Sequence, residues 1–205
     1  MNIIPLTIKN AMKRILSLKG ILYLTTRYGN IHLRRLAFDS YYESGKWDYL
    51  ETTHSKDVVQ TVEQYLNKGT LLDIGCGPGI ISKILHPDSY SYYLGIDASE
   101  NAIQRAIKFT NKKVQFRVED FHNATNFNQD FWDVILFEES LYYLPSGYTD
   151  FCQKLKKLLT YKGVFIVTIA DTARYHSIIT GIRTEFNVIE DRLLCNSQRI
   201  LLVFR

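Results

Sequence analysis

A doubly wound α/β fold, with a mostly parallel sheet covered by helices on both faces, is what this sequence predicts. Three observations point to it. From residue 70 onward, short apolar runs alternate with amphipathic stretches, the order that builds βαβ units. The first apolar run, "TLLDIG", opens into a loop with glycine at every second position, Gly75, Gly77 and Gly79, as expected at the carboxyl edge of such a sheet. Two strand-like runs then close the chain across a short connection, so a hairpin can place an antiparallel strand in or beside the sheet.

The elements follow in order. Residues 3–18 read as a basic amphipathic helix with Ile4, Ile8, Met12, Ile15 and Leu16 near one face. Residues 31–50, "IHLRRLAFDSYYESGKWDYL", are aromatic-rich and helical in pieces. A helix over 54–66 shows Val58, Val59, Val62, Tyr65 and Leu66 at helical spacing, and Asn67-Lys68-Gly69 ends it. After strand "TLLDIG" a helix opens over 78–85. "YYLGID" is the second strand, and Ser99 caps a helix running through Phe109. "KVQFRVED" and "FWDVILFEES" are the third and fourth strands. "YTDFCQKLKKLL" is an amphipathic helix, and "GVFIVTIA" is the fifth strand after a Lys162-Gly163 turn. A helix over 172–181 precedes the closing strands in "TEFNVIEDRLL" and "SQRILLVFR".

Length and composition bound the rest. The 205 residues, 46% hydrophobic and 22% charged, suffice for one domain with a small appendage and exclude disordered and fibrous classes. The net charge of +4 is uneven: residues 1–36 hold seven Lys and Arg and no acid, which leaves −3 for the remainder. The reading is therefore a basic N-terminal arm with an aromatic lid over 1–50 and a main domain over 51–205. "ILSLKGILYL" is interrupted by Lys19 and too short to span a membrane. Cys76, Cys152 and Cys195 lie far apart, which suits a reduced, cytoplasmic protein.

The glycine loop and Asp97 point to the ligand. Glycines permit positive φ and a close ligand approach. Asp97 ends the second strand 22 residues after Gly75, a place suited to accept from both hydroxyls of a ribose. Dinucleotide cofactors usually ask for GxGxxG, whereas the spacing here is GxGxG. His32, His54, His86 and His122 form no metal spacing with the cysteines, so no metal is expected.

With Asp73 two residues ahead of Gly75, this arrangement resembles the class I S-adenosylmethionine-dependent methyltransferases. "LLDIGCGPG" looks like their first motif, "GIDAS" the second, "VEDF" the third, "FWDVILFEESLYYL" the fourth and "LLTYKGVFIVT" the strand-five motif. The resemblance covers about residues 66–170. It implies a Rossmann-like seven-stranded sheet with the last strand antiparallel, and S-adenosyl-L-methionine as methyl donor with S-adenosyl-L-homocysteine as product. It places Asp73, Gly75, Cys76, Gly77, Gly79, Asp97, Ala98, Asp120, Phe121 and Glu138 around that donor. In that set Asp73 lies near the amino group, Asp97 on the ribose, and Asp120 with Phe121 at the adenine.

The acceptor side is expected at "EESLYYL", which looks most like the matching segment of nodulation-type N-methyltransferases acting on an amino sugar. Glu139 is the expected catalytic carboxylate, receiving an ammonium or acting as base toward a hydroxyl; alternatively it caps or salt-bridges the loop. Tyr143 would orient the acceptor or pack. Tyr41, Tyr42 and Trp47 form a lid or an anchor for the arm, and His176 falls near the acceptor side. The expected activity is methyl transfer to N or O of a small molecule or saccharide. A nucleic-acid methyltransferase, a non-catalytic nucleotide-binding protein and an NAD-dependent oxidoreductase are the rivals. The arm over 1–36 could touch the inner membrane face peripherally, pack on the domain, or meet phosphate groups; nucleic acid is the least favoured partner.

Overall fold

The computed structural model of the chain describes residues 24–25, 31–48, 56–120, 131–143, 147–194 and 198–205. The helix expected over 3–18, Phe121, His54, His122 and Cys195 lie outside the described residues.

The described elements run α1 (Ile31–Glu43), α2 (Lys56–Leu66), β1 (Thr70–Ile74), α3 (Ile80–Ile84), β2 (Tyr92–Asp97), α4 (Glu100–Ala106), β3 (Val114–Val118), β4 (Trp132–Glu138), α5 (Tyr148–Lys156), β5 (Leu159–Ile169), α6 (His176–Glu185), β6 (Val188–Leu193) and β7 (Ile200–Phe204). The seven strands form one sheet in the order β3-β2-β1-β4-β5-β7-β6. The pairs β1–β2, β2–β3, β1–β4 and β4–β5 are parallel. The last strand, β7, is antiparallel to both β5 and β6. This is the Rossmann-like sheet that the motifs imply, with strand order reversing between β1 and β4.

The two faces are buried separately because alternate strand residues point to opposite sides. Leu72, Ile74 and Ile135 join Ile178, Ile179 and Ile182 of α6 and Leu155 of α5 on one face. Leu71, Val134 and Leu136 join Val58, Val62 and Leu66 of α2 on the other. Trp132 is fully buried in the first cluster.

Local chemistry sets the boundaries. Ser99 caps α4 as expected, its hydroxyl accepting from the Ala102 N–H at 3.1 Å. Asn67 and Lys68 at the end of α2 both take positive φ, the left-handed exit of a helix. Residues 31–43 form one helix rather than pieces. The expected turn at Lys162-Gly163 is part of β5, which begins at Leu159. The register with β4 shifts between Trp132 and Val134, and a side chain on Gly163 would sit 2.6 Å from the Trp132 carbonyl oxygen. Gly163 therefore allows a bulged close approach, which reads as a turn in sequence. Helix α6 continues to Glu185, four residues past the expected end, because Ile178, Ile179 and Ile182 keep one face in the core and Phe186 follows them in.

Among the described residues, no helix is long and apolar enough to cross a membrane.

Candidate active site

At the strand-order reversal, β1 delivers Asp73 and the loop that follows. The Gly75 and Cys76 N–H groups donate to the Ile96 carbonyl at 2.8 and 3.0 Å, which prolongs the β1–β2 ladder into the loop. Gly75 has φ +77, and a Cβ there would lie 2.5 Å from Cβ of Ser140. That space is used: the Ser140 hydroxyl donates to the Ile74 carbonyl at 2.5 Å, tying the ends of β1 and β4 together. Sequence reasoning assigned the bare glycines to ligand approach. In the structure the spaces beside Gly75 and Gly79 are filled by the chain itself, by Ser140 and by Phe116 with Ala106, while a Cβ on Gly77 would lie 2.8 Å from the Tyr42 hydroxyl.

Asp97 ends β2 with both oxygens engaged. Oδ2 accepts from the Gly77 N–H at 2.9 Å and Oδ1 from the Ser99 N–H at 2.8 Å. Burial nonetheless raises its pKa to about 6, against the lowering effect of those two bonds. Asp73 is 1% exposed. Its Oδ2 accepts from the Tyr93 hydroxyl at 2.5 Å, while the buried Oδ1 has no partner among the described residues. Burial raises its pKa to about 7, with the Tyr93 bond opposing and the Glu138 and Asp97 charges adding to the rise. Burial also pushes the Cys76 thiol well up, helped by Asp73 and Asp97, so it stays protonated and unreactive.

The end of β4 carries two acids in different states. Glu139 sits at φ +55, a strained conformation for a side-chain-bearing residue. Its N–H donates to the Thr168 hydroxyl at 3.1 Å. Its Oε1 accepts from Arg199 Nε at 2.9 Å; its Oε2 accepts from the Ala170 N–H at 2.7 Å and the Tyr142 hydroxyl at 3.1 Å. Glu138 receives one long contact, 3.4 Å from Arg199 Nη2. Its pKa rises to about 7, first through burial, with Arg199 opposing and Glu139 adding to the rise.

A cavity of about 260 Å³ joins these groups. Its floor is Asp73, the 75–78 loop, Asp97 and Ala98, with Glu138, Glu139, Arg199 and Ala170 on the far side. Phe38, Tyr42, Trp47, Tyr142 and Tyr143 wall it. Trp47 lies 4.9 Å from both Tyr41 and Tyr42 and 6.0 Å from Tyr143, ring centre to ring centre. Helix α1, which brings Phe38, Tyr41 and Tyr42, is fastened to α4. Asp39 accepts from the Ser99 hydroxyl at 2.6 Å, and Arg105 donates to the Tyr42 carbonyl at 2.9 Å and to Asp48 at 2.8 Å.

Most of the residues singled out from sequence meet at this cavity; four do not. Gly79 caps α3 beneath the loop, outside the cavity lining. Tyr41 packs with Phe38 and Ala98 behind the wall, with Lys46 over its ring at 3.7 Å. His176 is exposed at the start of α6 and its ring faces Thr180 of its own helix at 3.4 Å; it does not line the cavity, though its neighbour Tyr175 stacks on the lining residue Tyr142 at 4.4 Å. Asp120 is also outside the lining, its Oδ2 held by Arg34 Nη2 at 2.7 Å and Nε at 3.1 Å in a buried pair. Arg199 and Tyr142 were missed as site residues. The signal for Arg199 was the antiparallel closing strand: β7 starts at the edge where the parallel strands end, so the residue before it reaches the site.

Comparison with known proteins agrees with the geometry. Residues 47–195 match the family described as a methyltransferase domain. No curated protein matches the chain. Among solved structures, the complex between the Haloferax volcanii Trm112 methyltransferase activator and a methyltransferase aligns at TM-score 0.66 and 16% identity, over 82% of this chain and 96% of that one. The N-methyltransferase NodS from Bradyrhizobium japonicum WM9, in complex with S-adenosyl-L-homocysteine, aligns at TM-score 0.59 and 21% identity, over 73% of this chain and 86% of that one. A Leishmania major S-adenosylmethionine-dependent methyltransferase aligns at TM-score 0.64 and 13% identity, over 91% and 82%. At these identities the structural likenesses speak for the fold.

Proposed function

The chain belongs to the class I S-adenosylmethionine-dependent methyltransferases, and from that premise we propose that it methylates N or O of a small molecule or of a saccharide end. The observation that supports this acceptor class is the shape of the site. The cavity is about 260 Å³ and walled by aromatic side chains from α1, Trp47 and the Tyr142–Tyr143 turn, a lining that favours a small acceptor.

The residues present fit the donor. The buried Oδ1 of Asp73, without a partner among the described residues, suits the donor's ammonium. Asp97, fixed by two N–H groups, keeps further lone pairs for ribose hydroxyls. Asp120, with Phe121 beyond the described residues, is the proposed adenine contact. The bound donor supplies an electrophilic methyl on a sulfonium. The protein's task is then alignment, worth on the order of 7–11 kcal/mol when the geometry is good. Tyr42, Trp47 and Tyr143 face the cation with ring surfaces, an attraction of about 0.5–2 kcal/mol. We place the protein in the cytoplasm, with residues 1–36 as a peripheral contact to the inner membrane face.

Titration calorimetry tests the reading. S-adenosylmethionine binds with micromolar affinity and NAD does not; no donor binding, or a preference for NAD, overturns it. A filter assay for methyl transfer to amino sugars and hydroxylated saccharides then tests the acceptor class.

The raised pKa values give a second expected result. Asp73, Asp97 and Glu138 bind protons in the folded state that the unfolded chain has lost, since their folded values of about 7, about 6 and about 7 lie above the ordinary range. The free protein therefore gains stability as pH falls from about 7 toward about 4, and loses it as pH rises through that window. A cationic donor prefers the ionised carboxylates, so its affinity runs the other way. Thermal melts with and without S-adenosylmethionine show a larger ligand-induced shift at pH 8 than at pH 5.5, and calorimetry in two buffers shows proton release on binding. An equal shift at both pH values contradicts the assignment.

A further inference from the structure

Resting on the methyltransferase reading, we propose that Glu138, rather than Glu139, recognises the acceptor, and that the acceptor presents a protonated amine. Glu139 is a strut. Its two oxygens take three hydrogen bonds, from Arg199, Ala170 and Tyr142, and its N–H is bound to Thr168. It joins β4 to the end of β5 and the start of β7, and is left little capacity for a ligand. Glu138 lines the same cavity, 20% exposed. Its Oε1 holds the 3.4 Å contact to Arg199, and its Oε2 has no hydrogen-bond partner among the described residues.

The charge balance selects the ligand. Among the described residues that line the cavity, Asp73, Asp97, Glu138 and Glu139 carry up to four negative charges against one guanidinium, Arg199. The donor carries two positive groups and one carboxylate, so it offsets only part of that excess. A second anion would be repelled and a neutral alcohol would leave the excess uncompensated, whereas an ammonium matches it. The Tyr142–Tyr143 turn beside Glu138 adds ring faces for a cation.

The step balances without another reactant. Glu138 takes one proton from the acceptor ammonium and becomes a carboxylic acid, and the freed nitrogen lone pair forms the bond to the methyl carbon. The carbon–sulfur bond breaks with its electron pair going to sulfur, and the product leaves as the methylated ammonium. A carboxyl that titrates near 7 is suited to give that proton back to solvent at neutral pH.

The test uses the full chain saturated with S-adenosylhomocysteine and three isosteric probes: cyclohexylamine, cyclohexanol and cyclohexanecarboxylate. Ligand-observed NMR at pH 8 is expected to give the amine at least a tenfold advantage over the alcohol and no binding of the carboxylate. Glu138→Gln brings the amine-to-alcohol ratio close to one. Glu139→Gln keeps the ratio and lowers the melting temperature. Equal amine and alcohol binding, a preference for the carboxylate, or a ratio unchanged in Glu138→Gln overturns the proposal while leaving the methyltransferase reading intact. Failure of S-adenosylhomocysteine to bind at all overturns that reading, and the proposal with it.

Discussion

Asp97→Ala lowers the affinity for S-adenosylmethionine by about 100-fold or more, with the sheet intact. The carboxylate has two tasks. It holds the loop by accepting from Gly77 and the start of α4 by accepting from Ser99, and we assign it the ribose hydroxyls. Hydrogen bonds to a charged group contribute about 1.5–3 kcal/mol each, and two such losses come to about 100-fold or more in a dissociation constant. Asp97→Asn keeps one acceptor and loses about tenfold. Calorimetry reads both, and thermal denaturation checks the fold. The alanine variant also frees the Gly77 N–H, so its loop loosens, visible as faster amide exchange at 76–79. An affinity within threefold of the parent removes Asp97 from the donor site.

Arg34→Met releases α1 from the domain. The Arg34–Asp120 pair is 9% and 4% exposed on its two side chains. Removing one partner of such a buried pair is a loss of about 3–5 kcal/mol. Helix α1 has other fastenings, at Asp39, Tyr42 and Phe38, but undocking it is an easier escape than unfolding the sheet. The expected result is proteolytic cleavage within 31–48 at least tenfold faster, with a drop of several degrees in melting temperature. Asp120→Asn added to that variant recovers most of the loss, because the buried carboxylate is then a neutral amide. A variant as resistant as the parent shows that α1 is held without the pair. The pair also bears on access. The cavity of about 260 Å³ falls just below the ~300–1,000 Å³ usual for small-molecule sites, and α1 walls it, so opening α1 is the expected route for the donor. Faster donor association in Arg34→Met by stopped-flow fluorescence of Trp47 checks this.

Much of the fold was legible because its signals are local. "YYLGID" coincides with β2, Ser99 is the cap, and the GxGxG loop with its acid 22 residues on lies where the strand order reverses. What was misread depended on contacts across the chain. Gly163 looked like a turn because the carbonyl it accommodates, that of Trp132, is 31 residues away. Glu139 reads from sequence as either a reactive acid or a loop strut, and the groups that occupy it come from just after β5 and from the residue before β7. Asp120 stays the proposed adenine contact, but its partner Arg34, 86 residues upstream, was not legible from the motif. Spacing along one segment reveals a backbone shape; which side chains remain available is decided by distant segments.

The reversed direction of β7 also orders events in time. Arg199, which faces Glu138 and Glu139, is synthesised after β1, β2 and β4. Until it arrives, a nascent chain that has already laid down β1, β2 and β4 has four acids converging on one hollow with no cation from this edge to relieve them. The hollow stays open or protonated until the last strand docks. A chain halted before residue 199 is therefore expected to lack the one guanidinium seen against these acids among the described residues and to hold the donor differently from the full chain.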